Sequence, residues 1–506
     1  MTATASDPAS RISPTGRKVL WLIAIMTLVR VATAAAMGLG MDESYTTAIS
    51  RDLHLSYFDH PPLHQWIAHG AGELFGYGRW VRLPFIALFA GSTWLMYRLG
   101  ARLFGEAAGW WAALALNFAA FFSVAAGEWV LPDGPLVFFE LGAALTLARL
   151  LFPQAGEGEK PWALWLGFAA WIGLAALSKY QAVTVGLGLA LAILILPEGR
   201  RRLAHPAPYA AKLMALLIIS PVIIWNAQHQ WISFTFQAGR GAARHFDPAG
   251  LLTALVAQAG LLTPWVAVPL AWAVVKGFRS RDAKAAYLLI AAAPTLVLFN
   301  LLPLVGAKVL PHWPMPGWLL LFPLLGAALA QSTRAWPMRW AWASGAALAL
   351  IWALAVSDAA TAWIKDAIPS LKTDPTAEAM DWGRIRTELG RRGLLKPGTL
   401  VVAAEWNEAG KIDQAVGDLM PVLVFNGDPR EYAFRTPSSA YLHHDALIIG
   451  KPNTVRQELS RIAPHFAALT ALPDMTVGRG NKDETALTVI AAHDLTSPYP
   501  LPSWAR

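Results

Sequence analysis

The sequence predicts a polytopic all-α membrane protein of about eleven transmembrane helices, followed by a C-terminal α/β domain outside the membrane. Three observations carry this. Hydrophobic residues make up 55% of the 506 residues and charged residues only 15%, with a mean hydropathy of +0.41; a soluble chain carries roughly a quarter charged residues. Apolar runs near the ~20 residues that cross a bilayer recur between about residues 19 and 357. From about residue 358 onward the runs are too short to span, and β-like stretches alternate with helix-like ones.

Arg11, Arg17 and Lys18 precede the first run, 19–37, which predicts a cytoplasmic N-terminus. That run is long for a signal peptide and leads into charged residues, so it reads as a retained helix. The later spans fall at about 81–98, 107–126, 134–152, 162–178, 181–197, 211–226, 250–275, 285–302, 317–331 and 339–357. This alternation sends Arg98, Arg102, Lys160, Arg200 to Arg202, Lys276, Arg279, Arg281, Lys284, Arg334 and Arg339 to the cytoplasmic face, as the positive-inside bias requires. The opposite face receives 38–80, 127–133, 179–180, 227–249 and 303–316, several of them rich in His, Trp, Asp and Pro. Within the first of these, 44–76 reads as helices lying in the interface, because its apolar stretch is too short to span. In the tail, β-like runs occur at 399–404, 421–425, 446–449 and 486–491, with helix-like stretches at 377–392, 408–416 and 454–462. The expected domains are therefore a membrane unit, 1–357, and a periplasmic α/β unit, 358–506.

The net charge of +8 sits largely in short loops between apolar runs. It is a topology signal, and no nucleic-acid partner is expected. With no Cys, thiol nucleophiles, thiol ligands and disulfides are excluded.

The chemistry-bearing groups cluster on the non-cytoplasmic side: Asp42-Glu43, Asp59-His60-Pro61-Pro62 and Pro132-Asp133-Gly134-Pro135, with Lys179 as a fourth member. Ionisable side chains at one lipid–water boundary are costly unless they do something there. Asp42-Glu43 alone also reads as a pair of solvated loop acids; Asp133 on the same face makes a division of labour between carboxylates possible. The double proline after His60 fixes the chain direction. His60 is either a helix-start histidine at the membrane surface or a phosphate or hydroxyl partner. Lys179 either snorkels or faces an anionic lipid phosphate. The loop from Trp225 through Asn226, Gln228 and His229 to Arg240 offers ring faces and amides of the kind a carbohydrate site uses, and the loop with His312 could cover the same cavity. His229, His245 and His312 lack close pairing, so a divalent metal is possible but not indicated. No catalytic group is expected in the tail, which has neither a Gly-rich phosphate loop nor metal-ligand spacing. The competing class is a transporter or flippase, which would explain the spans but places its polar residues near the bilayer midplane.

Taken in order, Asp42-Glu43-Ser44-Tyr45, Leu55-Ser56-Tyr57-Phe58-Asp59-His60-Pro61-Pro62-Leu63, Pro132-Asp133-Gly134-Pro135-Leu136, Leu177-Ser178-Lys179-Tyr180 and Ser220-Pro221 through His229 resemble the bacterial branch of glycosyltransferase family 39. The resemblance continues more loosely to His312-Trp313-Pro314. That branch is related to protein O-mannosyltransferases and the lipid A aminoarabinose transferase, and has the GT-C membrane fold. The resemblance implies an inverting enzyme of the bacterial inner membrane. It would move one sugar from a polyprenyl-phosphate donor to a lipid, glycan or protein acceptor at the periplasmic face, with no required cofactor. It implies Asp42 as general base, with Glu43 and Asp133 as further catalytic candidates, Asp133 supporting the acceptor or the site geometry. His60, Lys179, Tyr180 and Arg240 would serve the donor phosphate and lipid. Tyr45, Asp59, Asn226, Gln228, His229 and His312 would serve the sugar or the acceptor. Many relatives carry Lys where this chain has His60; Lys179 and Arg240 would then supply the positive charge.

Overall fold

Ser13 opens the first helix, α1 (Pro14–Ala36): its hydroxyl accepts from the Gly16 N–H at 3.0 Å, and Pro14 supplies a preset φ. The computed structural model describes residues 12–500 except 156, 158, 159, 241–244, 372, 373 and 481. Each predicted span falls on helix, while length and apolarity alone single out fewer than eleven of them. Six described helices are long and apolar enough to cross a membrane, or up to eight if each bent pair is one span. The six are α1, Asp133–Leu151, Pro161–Ser178, Ala207–Gln228, Ala283–Leu304 and Trp336–Thr361.

The difference has local causes. The 250–275 run contains Thr263-Pro264, where the helix Pro248–Leu262 ends and the next, Pro264–Arg279, departs at 110°. The 107–126 run bends by 83°, and a π-helical turn at Phe121–Ala125 follows the break. The 317–331 run is two short helices, Met315–Leu319 and Phe322–Ala330. Large apolar side chains remain exposed on the outer helix faces, among them Leu28, Leu217 and Phe278. Only lipid accommodates so much contiguous apolar surface, so the chain is a multi-pass membrane protein.

Beyond α1, two short helices form as expected: α2 (Met41–Ile49) and α3 (Leu63–Phe75), the latter starting directly after Pro61-Pro62. The C-terminal unit is a five-stranded sheet in the order β2-β1-β3-β5-β4. Its strands are β1 (Leu400–Ala403), β2 (Val422–Val424), β3 (Ala446–Gly450), β4 (Phe466–Val477) and β5 (Thr485–Leu495). β1 runs parallel to β2 and β3, while β5 runs antiparallel to β3 and β4. β4 is the strand the sequence pattern misses: Pro473 and Asp474 interrupt it, and its register with β5 shifts between Leu472 and Met475.

α2 does not lie free on the membrane. Tyr45 and Ile49 are buried in one cluster with Trp382, Ile385, Ala409 and Ile412 of the C-terminal unit. The helix Trp406–Val416 packs against α2 at Gly410, where a Cβ would sit 2.6 Å from the Tyr45 backbone nitrogen. No side chain fits that approach. Gly410→Ala is therefore expected to lose about 1–3 kcal/mol, as overpacked sites do. Thermal unfolding of the purified protein should show a lowered midpoint; an unchanged one would mean that the two helices separate without cost.

Candidate active site

α2, the loop before α3, the bent helix near Phe121, and the ends of the spans starting at Asp133 and finishing at Ser178 converge on one cavity of about 530 Å³. Asp42, Tyr45, Asp59, His60, Asp133, Lys179 and His312 all line it. These seven residues, all predicted to share one membrane face, thus share one cavity. A second cavity, about 300 Å³, lies on the other side of Asp42 and Trp129, which line both. Its wall includes Leu348, Ile351, Trp352 and Ala355 of the Trp336–Thr361 span, so it is largely apolar.

Asp42 and Glu43 are neighbours in sequence and opposites in environment. One residue along a helix turns the side chain by roughly 100°. Glu43 turns inward and is 2% exposed. Its carboxylate accepts from Arg82 at 2.6 and 2.8 Å, from the Gly40 N–H at 2.8 Å and from the Val130 N–H at 3.0 Å. Burial works against its ionisation, but Arg82 and the two backbone donors outweigh that and hold it below the ordinary glutamate range. Arg82 in turn donates to the Met37 and Gly38 carbonyls. Glu43 therefore ties α2 to the end of α1 and to the loop before Asp133, and has no lone pair to spare for a substrate. Its geometry is that of a group that holds neighbouring elements in place. Asp42 turns to the cavities and makes no hydrogen bond among the described residues. Burial raises its carboxyl above the ordinary aspartate value; Arg430 opposes this, and Asp59, Glu378 and Glu43 add to it. A carboxylate that is unpaired and open to two cavities is suited to accept a proton.

Lys179 caps the Pro161–Ser178 helix, and its ammonium donates to both oxygens of Asp133 at 2.7 and 2.8 Å. Both residues are at most 5% exposed. The pair is close to neutral as a unit, so Lys179 alone is a weaker anion partner than its position in the sequence suggests. Asp59 is held by Arg430, whose Nη1 lies 3.0 Å from Oδ2, while Oδ1 is buried without a partner. The Arg430 guanidinium lies 3.7 Å over the Trp406 ring, and Arg430 itself adopts a left-handed backbone at φ 49°. Next to it, Glu431 accepts from the Phe58 N–H at 2.7 Å, and its own N–H donates to the Tyr45 hydroxyl at 3.2 Å. Burial pushes the Glu431 carboxyl up to about 8.

The C-terminal unit, in which no catalytic group is expected, nevertheless contributes to the wall of the site: Trp406 and Arg430 both line the main cavity. A sequence signal for them exists. Trp406 follows β1 and Arg430 follows β2, two adjacent parallel strands. Ligands of open sheets gather at the carboxyl ends of such strands. Gln65, also on the cavity wall, went unpredicted; its buried Oε1 has no partner.

Other candidates lie elsewhere. Asn226 is buried, donates to the Val222 carbonyl and accepts from the Ser233 N–H. His229 stacks on Trp225 with ring centroids 4.0 Å apart. Gln228 is exposed, and none of the three lines the cavity. Asn226 and His229 bond within the turn into the helix Ile232–Arg240, and it is Gln237 of that helix that reaches the cavity and donates to the Asp59 carbonyl at 2.9 Å. Tyr180 packs edge-on against Phe234 and is also absent from the wall. The Arg240 side chain and residues 241–244 lie outside the described residues. His312 stacks parallel to Phe121, with centroids 6.0 Å apart. Among the described residues, no group of three or more His, Asp or Glu is placed to hold a metal ion.

Residues 59–225 match the family described as dolichyl-phosphate-mannose-protein mannosyltransferase. Lipid A galacturonosyltransferase RgtD of Rhizobium johnstonii is 26% identical over 318 residues, which are 61% of this chain. The match spans 63% of that relative's length. Among solved structures, ArnT from Cupriavidus metallidurans bound to undecaprenyl phosphate superposes with a TM-score of 0.65 at 19% identity, covering 96% of this chain and 100% of that one. Its apo form gives the same TM-score at 18% identity, covering 95% and 98%. At these identities the likeness to the solved structures is one of fold.

Proposed function

We propose that this chain, a GT-C membrane protein of the glycosyltransferase family 39 type, is an inverting glycosyltransferase that moves one sugar from a polyprenyl-phosphate donor to a lipid acceptor at the periplasmic face of the bacterial inner membrane. The observation that carries this reading is the position of Asp42 as an unpaired carboxylate between two unlike cavities. The cavity with Lys179, His60 and Arg430 suits a sugar phosphate. The apolar one, walled by a membrane-spanning helix, suits the hydrocarbon part of an acceptor. RgtD acts on a lipid according to its name, which agrees with the second assignment.

In this reading the acceptor hydroxyl meets the anomeric carbon from the Asp42 side. Asp42 takes its proton as the new glycosidic bond forms, and the bond from the anomeric carbon to the phosphate oxygen breaks on the opposite face, inverting the centre. The leaving phosphate needs cations rather than a strong acid. Arg430 gives Asp59 one hydrogen bond and keeps other N–H groups of its fork, whereas Lys179 gives two to Asp133. The unpartnered Asp59 Oδ1 and Gln65 Oε1 are acceptors, as sugar hydroxyls require. These ionisable groups sit at helix ends, which favours a transferase over a carrier with midplane polar sites.

The test is transfer by the purified full chain. Polyprenyl-phosphate donors bearing a uronic acid, a hexose or a pentose are incubated with membrane lipid extract and followed by mass spectrometry. The expected result is one donor that yields free polyprenyl phosphate together with a lipid heavier by one sugar of inverted configuration. Donor movement across vesicles without any such product would make the protein a carrier.

A further inference from the structure

We infer that a third pocket, on the other side of α2 from Asp42, holds the phosphate of an anionic membrane lipid. It measures about 300 Å³ and is walled by the chain just beyond α1, by Ser44, by the Tyr77-Gly78-Arg79 turn and by Trp382, Arg386 and Lys411 of the C-terminal unit. The Ser44 hydroxyl and the Trp382 indole N–H, in residues 1% and 2% exposed, lie behind this wall and are closed off from the pocket itself, so the groups that can meet a ligand are the charged ones.

The charges on the wall suit an anion. Arg79, Arg386 and Lys411 face the single carboxylate on the wall, that of Asp381, which already accepts from the Gly383 N–H. Lys411 spends its three donors on the Leu39, Glu378 and Met380 carbonyls, so it contributes its field and no further bond. Arg386 meets Asp418 at 2.6 Å through Nη1 alone. Arg79 donates through Nη1 to the Ala35 carbonyl, in the last turn of α1. Each arginine keeps further N–H groups for a phosphate, the geometry that guanidinium serves best.

Position decides between a lipid and a soluble anion. Arg79 bonds to the end of a membrane-spanning helix, which sets the pocket at headgroup level. Leu74, Phe75 and Trp80, which flank the Tyr77–Arg79 turn in sequence, are 77%, 49% and 38% exposed. A polar pocket with an apolar and indole rim is what a lipid headgroup with its attached chains presents itself to. This site is independent of sugar transfer and would exist whatever the enzyme's donor.

Native mass spectrometry of the full chain in detergent tests the idea, with short-chain phosphatidate, phosphatidylcholine and inorganic phosphate as separate probes. One phosphatidate should be retained per chain, with at least about tenfold weaker retention of the other two. Arg79→Gln and Arg386→Gln should each weaken phosphatidate retention about tenfold, as loss of a charged hydrogen bond does. Equal retention of phosphatidate and phosphatidylcholine overturns the anion claim, and inorganic phosphate bound as tightly as phosphatidate overturns the lipid claim. Unchanged phosphatidate retention in variants that melt like the wild type overturns the site.

Discussion

Asp42→Asn is expected to slow single-turnover sugar transfer by about 10²–10⁴-fold, the usual contribution of a general base, while donor affinity persists. The substitution keeps the size of the side chain and removes only proton acceptance. Because Asp42 makes no hydrogen bond among the described residues, it should not disturb the fold, and the melting temperature should match that of the wild type. The pH profile gives a second readout. Burial raises the Asp42 carboxyl, and the base works only when ionised. Wild-type transfer should therefore rise with pH through an apparent pKa above the ordinary aspartate value, and that limb should vanish in the Asn variant. Glu43→Gln is the contrasting case. It weakens the Arg82 tie and should lower thermal stability together with activity. A well-folded Asp42→Asn protein with near-normal transfer would remove Asp42 from the mechanism and leave Asp133 as the candidate base.

Arg430→Gln should reduce donor affinity about 10–100-fold, the size of a lost charge-assisted hydrogen bond of ~1.5–3 kcal/mol. It also leaves Asp59 buried without its cation, so the single variant is destabilised as well. The double variant Asp59→Asn with Arg430→Gln separates the two effects. Removing both charges should restore much of the lost thermal stability and none of the donor affinity. If the double variant also regains affinity, Arg430 serves only to hold the Asp59 loop. Arg430→Lys keeps the charge but loses the planar stack on Trp406, and should fall between wild type and Arg430→Gln.

How legible the site was varies with how local its causes are. Asp42, Asp59, His60, Asp133, Lys179 and His312 were all found in sequence, because each sits at a helix end marked by proline or by the boundary of an apolar run. Asn226, Gln228 and His229 looked equally promising by residue type. The fold spends Asn226 and His229 on backbone and ring contacts within their own turn, which composition cannot foresee. Breaks within an apolar run are equally hard to foresee. A run such as 250–275 is apolar throughout, yet the break at Thr263-Pro264 lets neighbouring helices turn its two halves by 110°.

By itself the sequence determined the long apolar helices, the acids and cations at their ends, and the strands β1, β2, β3 and β5. These follow from hydrophobic runs, their boundaries and β-rich stretches, all readable within a window of some 20 residues. Only the tertiary structure decided which acid is free. Asp42 and Glu43 have the same carboxyl chemistry and adjacent positions, and are separated by one helical step and by Arg82, 39 residues further on. Only the tertiary structure joined Arg430 to Asp59 across 371 residues and buried α2 in the C-terminal core. Such contacts arise when packing brings distant elements together, and no local preference of the chain encodes the partner that each side chain will meet.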